Sequence, residues 1–400
     1  MRAPKPDPSL LADLDRCVKC GLCLPECPTY RLAADENESP RGRLALIEGL
    51  VTGRLKNDTD LVRHLDTCLQ CRRCERVCPS AVPYGRLIDA ARQQTTRPRR
   101  LTGWLMRPAV LRHGNRLANA IPTALSRPID MAHRMHRLAA ALPPGRPAPR
   151  PGNYPGQLNT GRGRVGLFPG CATGALQGDA LWAAVTLLNR AGFDVRIPRD
   201  HACCGALAGH AGDTATADQL AARNRRAFDA DLDAVLSIAS GCGTYLDQYQ
   251  PALTCPHLDI QRFLLEQADL DLLDFHTLAA TVLLHTPCTV ANVYRGDGWS
   301  RSLLQRIPEL NIVDVGQAGQ CCGSAGDYML RYPETAEQLR RPVIEQSKRH
   351  AATMLLTGNI GCAMHLADGL REEGPPIEVL HPVQLLARQL VDQNTLPAVS

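Results

Sequence analysis

Cys17-Val18-Lys19-Cys20-Gly21-Leu22-Cys23-Leu24-Pro25-Glu26-Cys27-Pro28 decides how this chain is read. Three cysteines stand two residues apart, and a fourth follows after three more with proline behind it. The same spacing returns at Cys68, Cys71, Cys74 and Cys78, followed by Pro79. C-x2-C-x2-C-x3-C-P is the bacterial ferredoxin run. Three thiolates on a tight loop can each reach a different iron of one cube. The fourth leaves the loop, where the proline behind it favours extended backbone. In two-cluster proteins the fourth cysteine of each run serves the other cube. The spacing therefore assigns Cys17, Cys20, Cys23 and Cys78 to one [4Fe–4S] cluster, and Cys68, Cys71, Cys74 and Cys27 to a second. Zinc sites more often show two CxxC pairs than this triple with Cys-Pro.

About forty residues separate the runs, and Arg43 to Val51 and Asp60 to Leu65 carry helical apolar spacing. A compact β-rich ferredoxin would want a shorter link, so residues 10–95 are expected to form a helical two-cluster domain. By analogy this is the helical ferredoxin arrangement of succinate dehydrogenase iron–sulfur subunits.

Downstream the sequence repeats itself. Phe168-Pro169-Gly170-Cys171 returns as His285-Thr286-Pro287-Cys288, Cys203-Cys204-Gly205 as Cys321-Cys322-Gly323, and Ser240-Gly241-Cys242 as Ile360-Gly361-Cys362. One nearly constant offset at three landmarks argues for a duplicated domain, with units expected at 164–280 and 281–400. Val165 to Phe168, Ala234 to Ile238, Thr281 to His285 and Thr353 to Thr357 read as buried strands, each followed by a turn and then a cysteine. Helical spacing at Ala180 to Ala191 and Ala215 to Phe228 falls between strands, so each unit is expected to be α/β with a parallel sheet. The fold class is thus multidomain α+β. The cysteines fall past the strand C-termini, where open parallel sheets bind ligands. Cys171, Cys203, Cys204 and Cys242 form one set; Cys288, Cys321, Cys322 and Cys362 form the other. Because both copies keep four cysteines, an additional metal site is favoured over buried thiols left from a duplication. Cys255 fits neither set and reads as a structural thiol. His257, His285, His365 and His381 are candidate ligands or proton relays, although single histidines are more often structural.

The connector, residues 96–163, is basic and Pro-rich. From Arg92 to Arg150 the chain has 12 arginines and one acid, Asp130. Trp104, Leu105, Met106, Val110, Leu111, Leu117 and Ile121 give it an apolar face if helical. It reads either as a surface helix meeting acidic lipid or a partner subunit, or as a solvated linker.

The 17 cysteines are odd in number and clustered, and residues 1–10 lack an apolar signal core. Metal in a reducing cytosol is expected, not a disulfide framework. No apolar run is long enough to span a membrane. A net charge of +5 does not suggest a nucleic-acid protein. No G-x-G-x-x-G opens a βαβ unit, so no flavin or nicotinamide site is expected. No acid–base pair stands out for substrate chemistry, and the electrons must then come from another subunit.

Two ferredoxin runs followed by two CCG domains resemble the iron–sulfur subunit of glycolate oxidase (glycolate dehydrogenase) over nearly the whole chain. The resemblance rests on Cys27-Pro28-Thr29-Tyr30, Pro40-Arg41-Gly42-Arg43, Ser240-Gly241-Cys242-Gly243, Cys321-Cys322-Gly323-Ser324-Ala325-Gly326, and Asn359-Ile360-Gly361-Cys362 with His365-Leu366. It implies a complex with two FAD-binding subunits that oxidise glycolate to glyoxylate. This chain would pass electrons onward to quinone, at the inner face of the cytoplasmic membrane. D-lactate dehydrogenases, glycerol-3-phosphate dehydrogenases and heterodisulfide reductases share the CCG architecture and are the alternatives. CCG domains that hold a non-cubane cluster often end in C-x-x-C. Here Gly243-Thr244-Tyr245 follows Cys242 and Ala363-Met364-His365 follows Cys362. The fifth ligand is missing in both copies, with His365 a substitute in the second only, so two clusters are counted and not three.

Overall fold

The computed structural model describes residues 8–95, 103, 107–120, 131–157, 162–228 and 231–391. The first region is helical: α1 (Pro8–Asp15), α2 (Pro28–Ala33), α3 (Pro40–Val51), α4 (Thr59–Asp66), α5 (Arg73–Arg76) and α6 (Tyr84–Thr95). The start signals are local. Ser39 Oγ accepts from the Gly42 amide with Pro40 in the first turn, and Asp58 accepts from the Leu61 amide. Helices α1, α3, α4 and α6 bury Leu14, Leu44, Ile47, Leu65, Leu87, Ile88 and Ala91 among themselves. Cys17, Cys68, Cys74 and Cys78 pack on the edge of this core. The helices therefore act as a frame that holds the two cysteine loops side by side.

Two sheets follow. The first runs β1-β3-β2-β4-β5, from β1 (Gly152–Tyr154), β2 (Arg164–Phe168), β3 (Asp194–Ile197), β4 (Ala234–Ser237) and β5 (His257–Asp259). The second runs β7-β6-β8-β9, from β6 (Thr281–His285), β7 (Asn311–Asp314), β8 (Met354–Thr357) and β9 (Glu378–Leu380). The order β3-β2-β4-β5 repeats as β7-β6-β8-β9, and every pair within these four is parallel. The parallel expectation thus holds with one addition. Gly152–Tyr154, read from the sequence as the end of the connector, pairs antiparallel with β3 as an edge strand.

The two sheets do not sit on separate cores. Val165, Leu167, Val195 and Leu236 of the first belong to one buried cluster with Val282, Leu284 and Leu356 of the second. The helices Gly178–Arg190 and Pro382–Gln389, one from each unit, pack on each other and close it. Burying each such Leu or Ile is worth roughly 1.5–3 kcal/mol, so the repeats are locked at a fixed mutual angle. The strand C-termini then converge. The Ser240 amide donates to the Gly358 carbonyl at 3.3 Å, and Ser240 Oγ lies 2.6 Å from Thr289 Oγ1.

Of the connector, the helices Pro108–Ala120 and Met131–Ala139 are described. Met131–Ala139 is tied to the second CCG unit, whereas Arg107, Arg112 and Arg116 are exposed. Arg137 is ion-paired with Asp368 at 2.7 Å and also with Glu372, while Val110, Leu111 and Met135 turn inward to a cavity. Leu117 remains exposed. Arg97, Arg99, Arg100, Trp104, Leu105, Met106, Ile121, Arg127 and Asp130 lie outside the described residues.

Candidate iron–sulfur sites

The two ferredoxin loops have the same backbone. Lys19 and Gln70, each two residues after the first cysteine of a run, have φ of 56° and 51°. Gly21 and Arg72, each one residue after the second cysteine, have φ of 83° and 56°. Only one of the four is glycine. A side chain in the left-handed region costs about 1–2 kcal/mol per residue, and three such residues at matched positions mark a loop shaped for a purpose other than stability. That shape wraps the chain around the space between the thiols, as a cube requires.

Two small cavities lie inside these loops. Cys17, Cys20, Cys23 and Cys78 line one of about 40 Å³, together with Cys74. Cys27, Cys68 and Cys71 line the other, of about 20 Å³, again with Cys74 on its wall. Each cavity thus meets three cysteines of one run and the last cysteine of the other, with Cys74 between them. The surroundings differ sharply. Cys20 is exposed and flanked by Val18 and Leu22, 68% and 54% exposed. Cys27 and Cys71 are buried. Burial pushes the Cys23 thiol up to about 11 and those of Cys71 and Cys74 well above the ordinary range. Bound metal would take these cysteines as thiolates, so loading them releases protons.

The eight CCG cysteines come together as well. All of them line a single cavity of about 380 Å³ at the convergent strand C-termini, with Cys68 on its wall. Cys203 Sγ is 3.5 Å from Cys171 Sγ, and Cys322 Sγ is 3.1 Å from Cys362 Sγ. Gly205 and Gly323 follow the cysteine pairs at φ of 90° and 89°, and a Cβ on Gly323 would sit 2.4 Å from the Ala336 carbonyl. Thiol hydrogen bonds from Cys171 and Cys204 hold Cys203 low, while Cys171 and Cys204 are pushed up. Among the described residues, no three of His, Cys, Asp and Glu converge on a single-ion position. The buried Thr173 hydroxyl, beside Cys171, has no hydrogen-bond partner. The donor set is sulfur-rich, which suits soft metals and clusters over hard cations.

The second ferredoxin loop abuts this cavity directly. Cys71 shares a buried cluster with Cys321 and Cys288, and Asn292 Nδ2 donates to the Cys71 carbonyl at 2.8 Å.

The histidines play other parts. His257 is held by Asp247 and Ser237, His285 by Thr357 Oγ1, and His381 caps the helix Pro382–Gln389. His365 as a substitute ligand is corrected. Its Nε2 meets the Ala336 carbonyl at 3.1 Å and its Nδ1 faces Arg340, so the ring is turned onto the helix Pro333–Ser347 and does not line the cavity. Cys255 is buried with Phe168, Phe228 and Leu232 and lines none of the three cavities.

Sequence reasoning missed the groups between the cysteines. Arg43 is buried against Glu38, and Asp89 pairs with His210 at 3.1 Å at the wall of the large cavity. Asp89 and His210 are far apart in the chain, and the Arg43–Glu38 pair is completed by His64 from another helix, so no spacing signals either.

Residues 13–82 match the model of the 4Fe-4S dicluster domain, and residues 165–247 and 282–367 that of the cysteine-rich CCG domain. The glycolate oxidase iron–sulfur subunit of Escherichia coli (strain K12) is 34% identical, over 90% of this chain and 91% of its own. The probable glycolate oxidase iron–sulfur subunit of Bacillus subtilis (strain 168) is 31% identical, over 94% and 93%. This chain belongs to the glycolate oxidase iron–sulfur subunit family. As a member it is an electron-transfer subunit that carries iron–sulfur clusters. Lactate utilization protein A of Geobacillus sp. (strain WCH70) is 26% identical over 56% of this chain and 98% of its own. No described helix is long and apolar enough to cross a membrane.

Proposed function

We propose that this chain carries electrons within a glycolate dehydrogenase complex, from FAD-binding subunits that oxidise glycolate to glyoxylate towards quinone. Cys17, Cys20, Cys23 and Cys78 hold one [4Fe–4S] cluster, and Cys68, Cys71, Cys74 and Cys27 the other. When bound, the clusters supply one-electron relay. The observation that carries the reading is the pair of small cavities, each meeting three cysteines of one run and the fourth of the other.

The protein's own residues define a direction. The first cysteine loop is open at Cys20, with Val18 and Leu22 beside it, and offers the contact for a flavoprotein. The second loop is enclosed and leads through Cys71 to Cys288 and Cys321. The eight cysteines of the large cavity are the donors for any further metal group. We divide the chain at residues 95, 163 and 280. We place it at the inner face of the cytoplasmic membrane, attached through its partners.

The test is reconstitution of the complete chain without oxygen, followed by mixing with the flavoprotein subunits and glycolate. The chain alone leaves glycolate untouched, and its clusters are reduced only when the flavoprotein subunits are present. Glycolate oxidation by the isolated chain would refute the assignment.

A further inference from the structure

Each ferredoxin loop has a guanidinium beside it, but only the one at the second loop is fully buried. Arg43 is 1% exposed. Its Nη1 lies 4.0 Å from Cys27 Sγ and donates to Thr29 Oγ1 at 3.0 Å and to the Glu38 carbonyl at 2.6 Å. Its Nε donates to the His64 carbonyl at 2.7 Å, and its Nη2 to Glu38 Oε2 at 2.5 Å and to Thr67 Oγ1 at 3.0 Å. The guanidinium is therefore immobile. The Glu38 carboxylate is held on the other side by His64 Nδ1 at 2.7 Å and by Thr67. At the first loop the neighbouring guanidinium, Arg41, lines the cavity but is one-third exposed, and is engaged by Glu36 and the Lys19 carbonyl.

Reducing a cluster adds negative charge. Burial alone disfavours that charge, while a fixed cation close to a ligating sulfur favours it, more strongly in a low dielectric. Glu38 opposes Arg43, but its carboxylate is held by His64 and Thr67 and only its neutral carbonyl, at 3.5 Å, meets Cys27 Sγ, whereas the charged guanidinium is 4.0 Å from that sulfur. We propose that Arg43 is a positioning residue that holds the second cluster at a higher reduction potential than the first. Electrons that enter at the exposed Cys20 edge then run inward, towards the CCG cysteines. One electron moves at a time, with no bond made or broken and no proton transferred. This inference rests on the two-cluster reading above and goes beyond it.

The test is an EPR-monitored redox titration of the complete chain, loaded with iron and sulfide, as wild type, Arg43→Gln, Arg43→Lys and Glu38→Gln. In the wild type, one cluster titrates at the higher potential. Arg43→Gln lowers that potential by at least a tenfold change in its reduction equilibrium, 59 mV for one electron, and leaves the other cluster in place. Glu38→Gln moves the same cluster in the opposite direction, and Arg43→Lys restores more than half of the shift. A merely structural role would move both clusters together or give the two charge changes the same sign, and either result overturns the proposal. So does a shift confined to the lower-potential cluster, or no shift. Should Arg43→Gln fail to bind iron, the upward shift in Glu38→Gln still decides the matter, and its absence is fatal. A wild-type chain with little iron sinks the two-cluster reading itself, a result that cannot be confused with the others.

Discussion

The two cysteine runs have one spacing and one loop backbone, yet they stand in opposite surroundings. The first lies at the surface around exposed Cys20. The second is enclosed between α6, the buried Arg43 and the CCG cavity. Spacing fixes which atoms can grip a cube. Surroundings fix from where the electron comes, to where it goes, and in which direction it runs.

The largest expected effect separates the two loops outright. Cys71→Ser removes a buried donor next to Cys288 and Cys321 and should abolish electron delivery to the CCG cavity. Cys20→Ser should spare the second cluster's EPR signal. Loss of both signals in both variants would break the comparison.

Next come the histidines behind the CCG strands. Burial holds His285 down to about 4 from an ordinary value of 6.5. A folded-state value below the unfolded one contributes stability that is present above pH 6.5 and lost as pH falls towards 4. Over that window the loss is on the order of 3 kcal/mol. His285→Gln should flatten the fall of Tm between pH 6.5 and 4.5 relative to wild type. An unchanged slope would contradict the assignment.

The helical frame offers a similar contrast. Ile47→Ala empties a fully buried position between α3 and its neighbours and should cost about 2–5 kcal/mol in urea unfolding. Val18→Ser, on the exposed loop, should stay within about 0.5 kcal/mol but slow reduction by the flavoprotein. If Val18→Ser reduced at the wild-type rate, the exposed loop would not be the entry point. The smallest effect concerns the loop backbone. Lys19→Gly relieves an exposed left-handed side chain at φ of 56° and should raise apo-protein stability by about 1 kcal/mol.

The sequence displayed the parts with short-range signatures. The ferredoxin spacing, the strands at 164–168 and 281–285, and the duplication all sit within a few residues of their markers. What it hid was the meeting of distant segments. Nothing near Cys203 or Cys321 announces that both copies open into one cavity, because that depends on a core shared by Leu167 and Leu284. Arg43, Glu38 and His64 look like ordinary surface charges until α3 and α4 bring them together. The connector held one more hidden contact. Arg137 is occupied by Asp368, while Arg107, Arg112 and Arg116 are exposed.

The crossed sharing of cysteines is the central claim, and one pair of variants tests it directly. Cys78→Ser and Cys27→Ser, prepared without oxygen, are compared with wild type by iron analysis and EPR. The account predicts about eight iron atoms in the wild type, loss of the first loop's signal in Cys78→Ser, and loss of the second loop's signal in Cys27→Ser. If each substitution instead erased the signal of its own run, the crossed assignment would be contradicted.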